Sequence, residues 1–238
     1  MIKEALQYII GLSAAEIKEI NGQTYSDKPL NRIIHNPKAS EITMNTLSSL
    51  VDYIKSNIDA MAEKMIIHVI SPTKVMLFSP LDNEREREYL VEVHARIPEF
   101  QFNQFIEHEQ FCINLQSKFT DTLDRALILK FAGTVEAGSV SEYGDDGVSQ
   151  KATVKTGIAS KGEALVPNPV NLVAYRTFIE VEQPVSQFIF RMKQDKYDGI
   201  HCALFEADGG AWKIDAMKNI KSYLEEQLKD YKKFIIIS

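Results

Sequence analysis

Cysteine is nearly missing. Cys112 and Cys202 are the only two in 238 residues. No C-x-x-C spacing exists, which excludes a cysteine-built zinc site or a dithiol redox motif, and two reduced, buried thiols are expected. Long apolar runs are missing as well. No stretch reaches the roughly 18 apolar residues of a membrane helix. The opening Met1-Ile2-Lys3-Glu4 lacks the apolar core and cleavage site of a signal peptide. No membrane partner is expected, and the expected location is the cytoplasm. Excess positive charge is lacking too: 27 basic residues face 33 acidic ones, for a net charge of −6. A non-specific nucleic-acid binder relies on Lys and Arg against phosphates. The overall charge argues against that role and leaves open only a local patch. It favours solubility.

Catalytic signatures are also lacking. Gly133-x-x-x-x-Gly138 is followed by Ser139 rather than Gly-Lys, so it fails the phosphate-loop pattern. No G-x-S-x-G elbow, H-E-x-x-H or dinucleotide fingerprint occurs. No cofactor is implied. The five histidines, His35, His68, His94, His108 and His201, are scattered. His68 and His94 fall on expected strands, where ordinary polar positions explain them. Metal binding needs clustered ligands, and the candidates are few: Glu142, Asp145 and Asp146 in one glycine-rich stretch, and Glu206 with Asp208 at a strand-to-helix turn. Carboxylates so placed can hold magnesium. Asp-Gly turns and an acid at a helix N-terminus explain the same residues without a metal.

What is present describes a folded chain. Hydrophobic residues make up 45% and charged residues 25%, ordinary values for a globular protein. The length suits one domain spanning 1–238. A helical part is expected at 1–64 and an α+β core at 65–238. Residues 2–20 read as helical. A second short helix is signalled by the S-x-x-E capping box Ser13-Ala14-Ala15-Glu16 and ended by Asn21-Gly22. Leu47, Leu50, Val51, Ile54, Ile58 and Met61 step by three or four and predict a helix over 45–63. Segments 65–70 and 74–79 flank Ser71-Pro72-Thr73 as a hairpin. Residues 89–96 alternate as a third strand. Residues 102–119 fit one or two helices. The pattern over 121–131 leaves helix and strand open. Residues 133–147, rich in Gly, Ser and acid, read as a flexible loop.

Further strands are expected at 150–158, 172–182, 187–193 and 200–206, and a closing helix at 210–232. The fold class is therefore α+β, a mainly antiparallel sheet with N-terminal helices and a long C-terminal helix packed on one sheet face. Turns at Gln183-Pro184-Val185-Ser186 and 195–198 imply a register. It pairs Val181 with Phe188, Ile179 with Phe190, Phe190 with Ala203 and Phe188 with Phe205. That register buries one apolar face, on which the closing helix, Trp212 included, is expected to pack. The opposite face then carries Arg176, Phe178, Glu180, Glu182, Ile189, Arg191, Cys202, Leu204 and Glu206. Arg176, Glu180, Arg191 and Glu206 form a candidate ion cluster. It is read either as a partly solvated face, costing about 0–1 kcal/mol per arginine removed, or as a binding or subunit interface. Four apolar residues, Phe234-Ile235-Ile236-Ile237, follow the helix. They are expected to dock on the core or on a neighbouring subunit.

Several segments resemble a family of uncharacterised phage and prophage proteins. They are Gln150-Lys151-Ala152-Thr153-Val154-Lys155-Thr156-Gly157, Val166-Pro167-Asn168-Pro169-Val170, Tyr175-Arg176-Thr177-Phe178, Glu182-Gln183-Pro184, and Leu204-Phe205-Glu206-Ala207-Asp208-Gly209-Gly210. The resemblance implies a phage-encoded protein in the cytoplasm of an infected or lysogenic bacterium, near DNA recombination or replication. It carries over no catalytic residue. The expectation is a non-enzymatic accessory protein that self-associates. It would act by binding in phage DNA metabolism, host takeover or anti-defence, with a host or phage protein as possible partner. The rival expectations are a metal-dependent nucleotide or nucleic-acid hydrolase using Asp145, Asp146, Glu206 and Asp208, and a structural particle or virion component.

Overall fold

The computed structural model describes residues 2–13, 15–29, 38–61, 64–140, 150–155, 161–195 and 199–238. These form two compact units, Met1–Lys38 and Ala39–Ser238. The first holds helix α1 (Ile2–Ser13) and a hairpin of β1 (Ile17–Ile20) and β2 (Gln23–Ser26). The hairpin replaces the second helix that the S-x-x-E spacing predicts. Asn21 and Gly22 both take positive φ, 55° and 75°, which is the Asn-Gly hairpin turn rather than a helix stop. Glu16 does not complete a capping box. Its amide donates to Asp27 Oδ1 at 2.6 Å, and its carbonyl accepts from the Asp27 amide at 3.1 Å. This unit buries none of its described side chains.

The second unit is α+β, with helices and strands in similar amount and mostly antiparallel pairing. It opens with β3 (Ile42–Met44) and α2 (Leu47–Ser56). Thr46 caps α2 by accepting from the Ser49 amide, and Asn57 ends it in the left-handed conformation. The helix therefore stops short of the expected residue 63. Next come β4 (Met65–Ser71), β5 (Lys74–Phe78) and β6 (Tyr89–His94), the predicted hairpin and third strand. Then follow β7 (Ile106–Glu107), α3 (His108–Lys118), α4 (Leu123–Ala132), β8 (Val135–Val140), β9 (Lys151–Lys155), β10 (Lys161–Leu165) and β11 (Val170–Leu172). The chain closes with β12 (Ser186–Asp195), β13 (Gly199–Glu206), α5 (Ala211–Gln227) and β14 (Phe234–Ile237). Part of the expected loop at 133–147 is thus a strand: Val135 pairs with Val154 and Val140 with Ala152. Residues 141–149 lie outside the described ones.

Two cores follow from the pattern. In the first, β14-β4-β5-β6-β3 form a mixed sheet. Its inward residues Met65, Ile67, Val69, Val75, Leu77, Val91 and Val93 pack under Leu50 and Ile54 of α2 and Ile220 and Leu224 of α5. The long closing helix does lie on one sheet face, but on this sheet rather than on the C-terminal hairpin. The apolar tail docks as expected: β14 pairs in parallel with β4, Phe234 opposite Met65. In the second core, β11-β12-β13-β7 back onto α3 and α4. Phe111 stacks on Phe190 at 5.5 Å between ring centroids. Cys112 and Cys202 sit on this side as free thiols, and burial raises the pKa of both. No helix among the described residues is long and apolar enough to cross a membrane.

Candidate functional site

The site grows from a segment expected to be a strand. Beyond β11, residues 173–185 join no sheet apart from one isolated bridge at Ala174. The Gln183 side chain supplies the hydrogen bonds a neighbouring strand would have made. Its Oε1 accepts from the amides of Arg176 (3.0 Å) and Thr177 (3.2 Å), and its Nε2 donates to the carbonyls of Phe178 and Val181. Buried backbone groups must be paired, and one buried glutamine pairs four of them. With no strand at 172–182, the hairpin turn at 183–186 disappears, and β12 pairs with β11 instead, Phe188 opposite Val170.

The register corrects accordingly. Phe188 lies opposite Glu206, Phe190 opposite Leu204 and Met192 opposite Cys202. This is one residue off the predicted pairing, and a one-residue slip moves every side chain of a strand to the other face. Leu204 and Cys202, expected on the sheet face away from the phenylalanines, share their face and are buried in the second core. Only Glu206 at the strand end escapes that core. Ser186, Phe188 and Glu206 therefore gather at one end of the face, and Arg176 closes over them.

Arg176 is 6% exposed. One guanidinium nitrogen donates to Glu206 Oε1 at 2.6 Å and another to the Ser186 hydroxyl. Its guanidinium lies 4.0 Å from the Trp212 ring centroid, 5.1 Å from that of Phe102 and 5.3 Å from that of Phe188. Burial pulls its pKa below the ordinary arginine value, while Glu206 and Asp208 pull the other way. Charge-assisted hydrogen bonds and ring faces together replace the lost hydration. Asn103 fixes the partner: its amide donates to the Leu204 carbonyl and its side chain accepts from the Glu206 amide, at 2.9 and 3.0 Å.

Trp212 is set by the turn before α5. Gly209 and Gly210 take φ of 63° and 83°, and Asp208 Oδ1 accepts from the Gly210 amide at 2.9 Å. Asp208 Oδ2 and Trp212 Nε1 are buried without a hydrogen-bond partner. Between α5 and residues 97–102 opens a groove of about 550 Å³. Its walls carry Ile97, Pro98, Phe100, Phe102 and Trp212, and its polar groups come from Thr73, Glu99, Gln101, Arg176, Glu206 and Lys213. The groove is open, its volume falls in the range of ligand clefts, and apolar and polar side chains share its lining.

Of the four candidate residues, the fold brings only Arg176 and Glu206 together. Glu180 instead meets the start of α2, where Oε1 accepts from the Ser48 amide at 3.3 Å. Arg191, opposite Ala203, projects to the β12 face away from Phe190 and Arg176. The solvated reading fails for Arg176, which is buried. Asp208 lies beside the groove, whereas Glu142, Asp145 and Asp146 fall outside the described residues. Among the described residues, no group of three or more His, Cys, Asp and Glu is placed to hold a metal ion.

The chain matches no protein-family model, no curated protein and no solved structure. The site is read from its own geometry. Sequence reasoning missed Phe102, Ser186, Gln183 and Asn103, none of which belongs to a motif. Trp212 offered one signal, being the single tryptophan of the chain, two residues after the Gly209-Gly210 pair.

Proposed function

We propose that the protein is a non-enzymatic binding module and that the groove beside Arg176 is its contact site. One observation carries this reading: a charged side chain, buried and neutralised by Glu206, is held rigidly among three aromatic rings in the wall of a 550 Å³ groove. Such a wall is preorganised, so it loses little entropy when a ligand arrives. Within the groove Arg176 and Glu206 neutralise one another, and Arg176 also bonds Ser186, which favours recognition as the role of this wall. Self-association and a place in phage DNA metabolism, host takeover or anti-defence are part of this proposal. The phage setting rests on the resemblance of the segments between residues 150 and 210 alone.

The single tryptophan lies in the groove wall, so its emission reads occupancy. Titration with 8-anilinonaphthalene-1-sulfonate is expected to quench Trp212 saturably, and Ile97→Asp to weaken the quench at least tenfold with an unchanged melting temperature. Sedimentation velocity is expected to show a discrete species heavier than one chain. Unmoved Trp212 emission defeats the groove as a binding site; a monomer at all concentrations defeats self-association.

A further inference from the structure

The groove has one wall made of backbone. Residues 95–101 form neither helix nor strand, and Pro98 holds Ile97 in extended conformation. Among the described residues, the amides of Ile97, Glu99, Phe100, Gln101 and Phe102 find no acceptor. The segment is anchored at both ends and in the middle. The Ala95 amide donates to the Thr73 carbonyl at 2.9 Å, the Asn103 amide to Leu204, and the Lys118 ammonium to the Glu99 carbonyl. The result is an anchored strip of unpaired backbone donors on one wall of an aromatic groove. A bound peptide's carbonyls can accept from such donors.

The charges select among occupants. Arg176 is already committed to Glu206 and Ser186, so it is not free to grip a phosphate. Among the described residues, Lys213 makes no ion pair, only a ring contact with Trp212 at 5.9 Å, and the Glu99 carboxylate on the facing segment makes none either. A cation and an anion thus flank the aromatic part of the groove. That suits a chain carrying side chains of both signs rather than a polyanion.

We propose, resting on the binding reading above, that the groove takes an extended peptide segment of a partner protein. The peptide hydrogen-bonds along residues 97–102. It seats an aromatic or large aliphatic side chain against Phe100, Phe102 and Trp212, and presents an acidic residue to Lys213. Main-chain bonds supply affinity and the alternate side chain supplies choice of sequence.

The test pans a display library of random linear heptapeptides on the full chain, then measures the enriched peptides by Trp212 emission. The expected peptides share one aromatic or large aliphatic residue with an acid nearby and shift Trp212 saturably. Replacing their backbone amides one at a time by esters, whose carbonyls are weaker acceptors, lowers affinity at least tenfold at one or more positions, and Lys213→Glu lowers it at least tenfold at unchanged melting temperature. Three results each overturn the proposal: no enriched sequence, enriched peptides that leave Trp212 unmoved, or affinity indifferent to every ester replacement. If the anilinonaphthalene probe quenches Trp212 while no peptide does, the peptide proposal falls and the binding reading stands. If neither moves Trp212, both fall.

Discussion

Removing the Arg176 guanidinium tests the site most directly. In Arg176→Ala the Glu206 carboxylate loses its charged partner, the Ser186 hydroxyl loses its donor and three aromatic rings lose the group they face. Breaking a fully buried pair costs about 3–5 kcal/mol. Glu206 is one-third exposed along its side chain, so water recovers part of its solvation and the ionic share falls toward the lower end. The lost ring contacts add about 1–2 kcal/mol. A total of about 4–5 kcal/mol follows, a fall of about 8–20 °C for a unit of this size at about 2–4 °C per kcal/mol. Arg176→Met keeps the length and the stacking area, and Arg176→Met with Glu206→Gln also removes the stranded charge. The double variant is expected to recover much of the loss, with a coupling of about 1–3 kcal/mol. Urea titration of the parent, Arg176→Ala, the single variants Arg176→Met and Glu206→Gln, and their double variant, with matched m-values, is the assay. A loss under about 1 kcal/mol for Arg176→Ala, or additive single variants, refutes the account of Arg176 as a buried, paired charge.

Three further outcomes are expected. Phe234→Ala removes a side chain 7% exposed on β14 and is expected to cost about 3–5 kcal/mol; thermal melts check it, and a change under 1 kcal/mol contradicts the docked strand. Glu107 caps α3 by accepting from the Gln110 amide at 2.9 Å, and hydrogen bonds from the Glu109 and Gln110 amides lower its pKa. A lowered carboxylate stabilises above its unfolded value of about 4.3 and loses that contribution as pH falls through the folded value. Glu107→Gln is therefore expected to cost about 1 kcal/mol or less at pH 7, with the gap from the parent closing below about pH 4; a gap that persists at low pH contradicts the charge-based cap. Gly210→Ala meets no atom within 4 Å at the new Cβ, but φ is 83°. About 1–2 kcal/mol of backbone strain is expected from a left-handed alanine, and an unchanged melting temperature contradicts it.

The sequence was legible where one face of an element meets a core. The steps of Leu47, Leu50, Val51 and Ile54 marked α2, and the alternation of Val91 and Val93 marked β6, because burial imposes those periods. It was not legible where a side chain does the work of a backbone. Gln183 occupies four main-chain groups of the 176–181 segment, and Gln150 pairs both polar groups of Met192, at 2.6 and 2.9 Å. Neither leaves a periodic trace, so a loop with alternating apolar residues reads as a strand. That error grouped Glu180 and Arg191 with Arg176. The slip of one residue between β12 and β13 has a separate origin, a turn taken as centred between residues 196 and 197 whereas Asp195 pairs with Gly199. Half of the ion cluster survived because Glu206 ends its strand, where the face it points to is no longer covered by the core. The groove itself was invisible, since its backbone wall has no signature and its aromatic wall comes from residues far apart in sequence.

The parallel pairing of β14 with β4 has a consequence for biosynthesis. The β4-β5-β6 meander is local and can form early, but its lid and one of its borders come from residues 211–237. A nascent chain lacking them exposes the unpaired edge of β4 and the apolar face that Ile220, Leu224, Leu228 and Phe234 later cover. Long-range closure of this kind is slow, and an open edge beside an uncovered apolar face invites association with other chains. Prematurely terminated products of this chain are therefore expected to be aggregation-prone and dependent on chaperones, while the same meander in the finished protein is closed on that side.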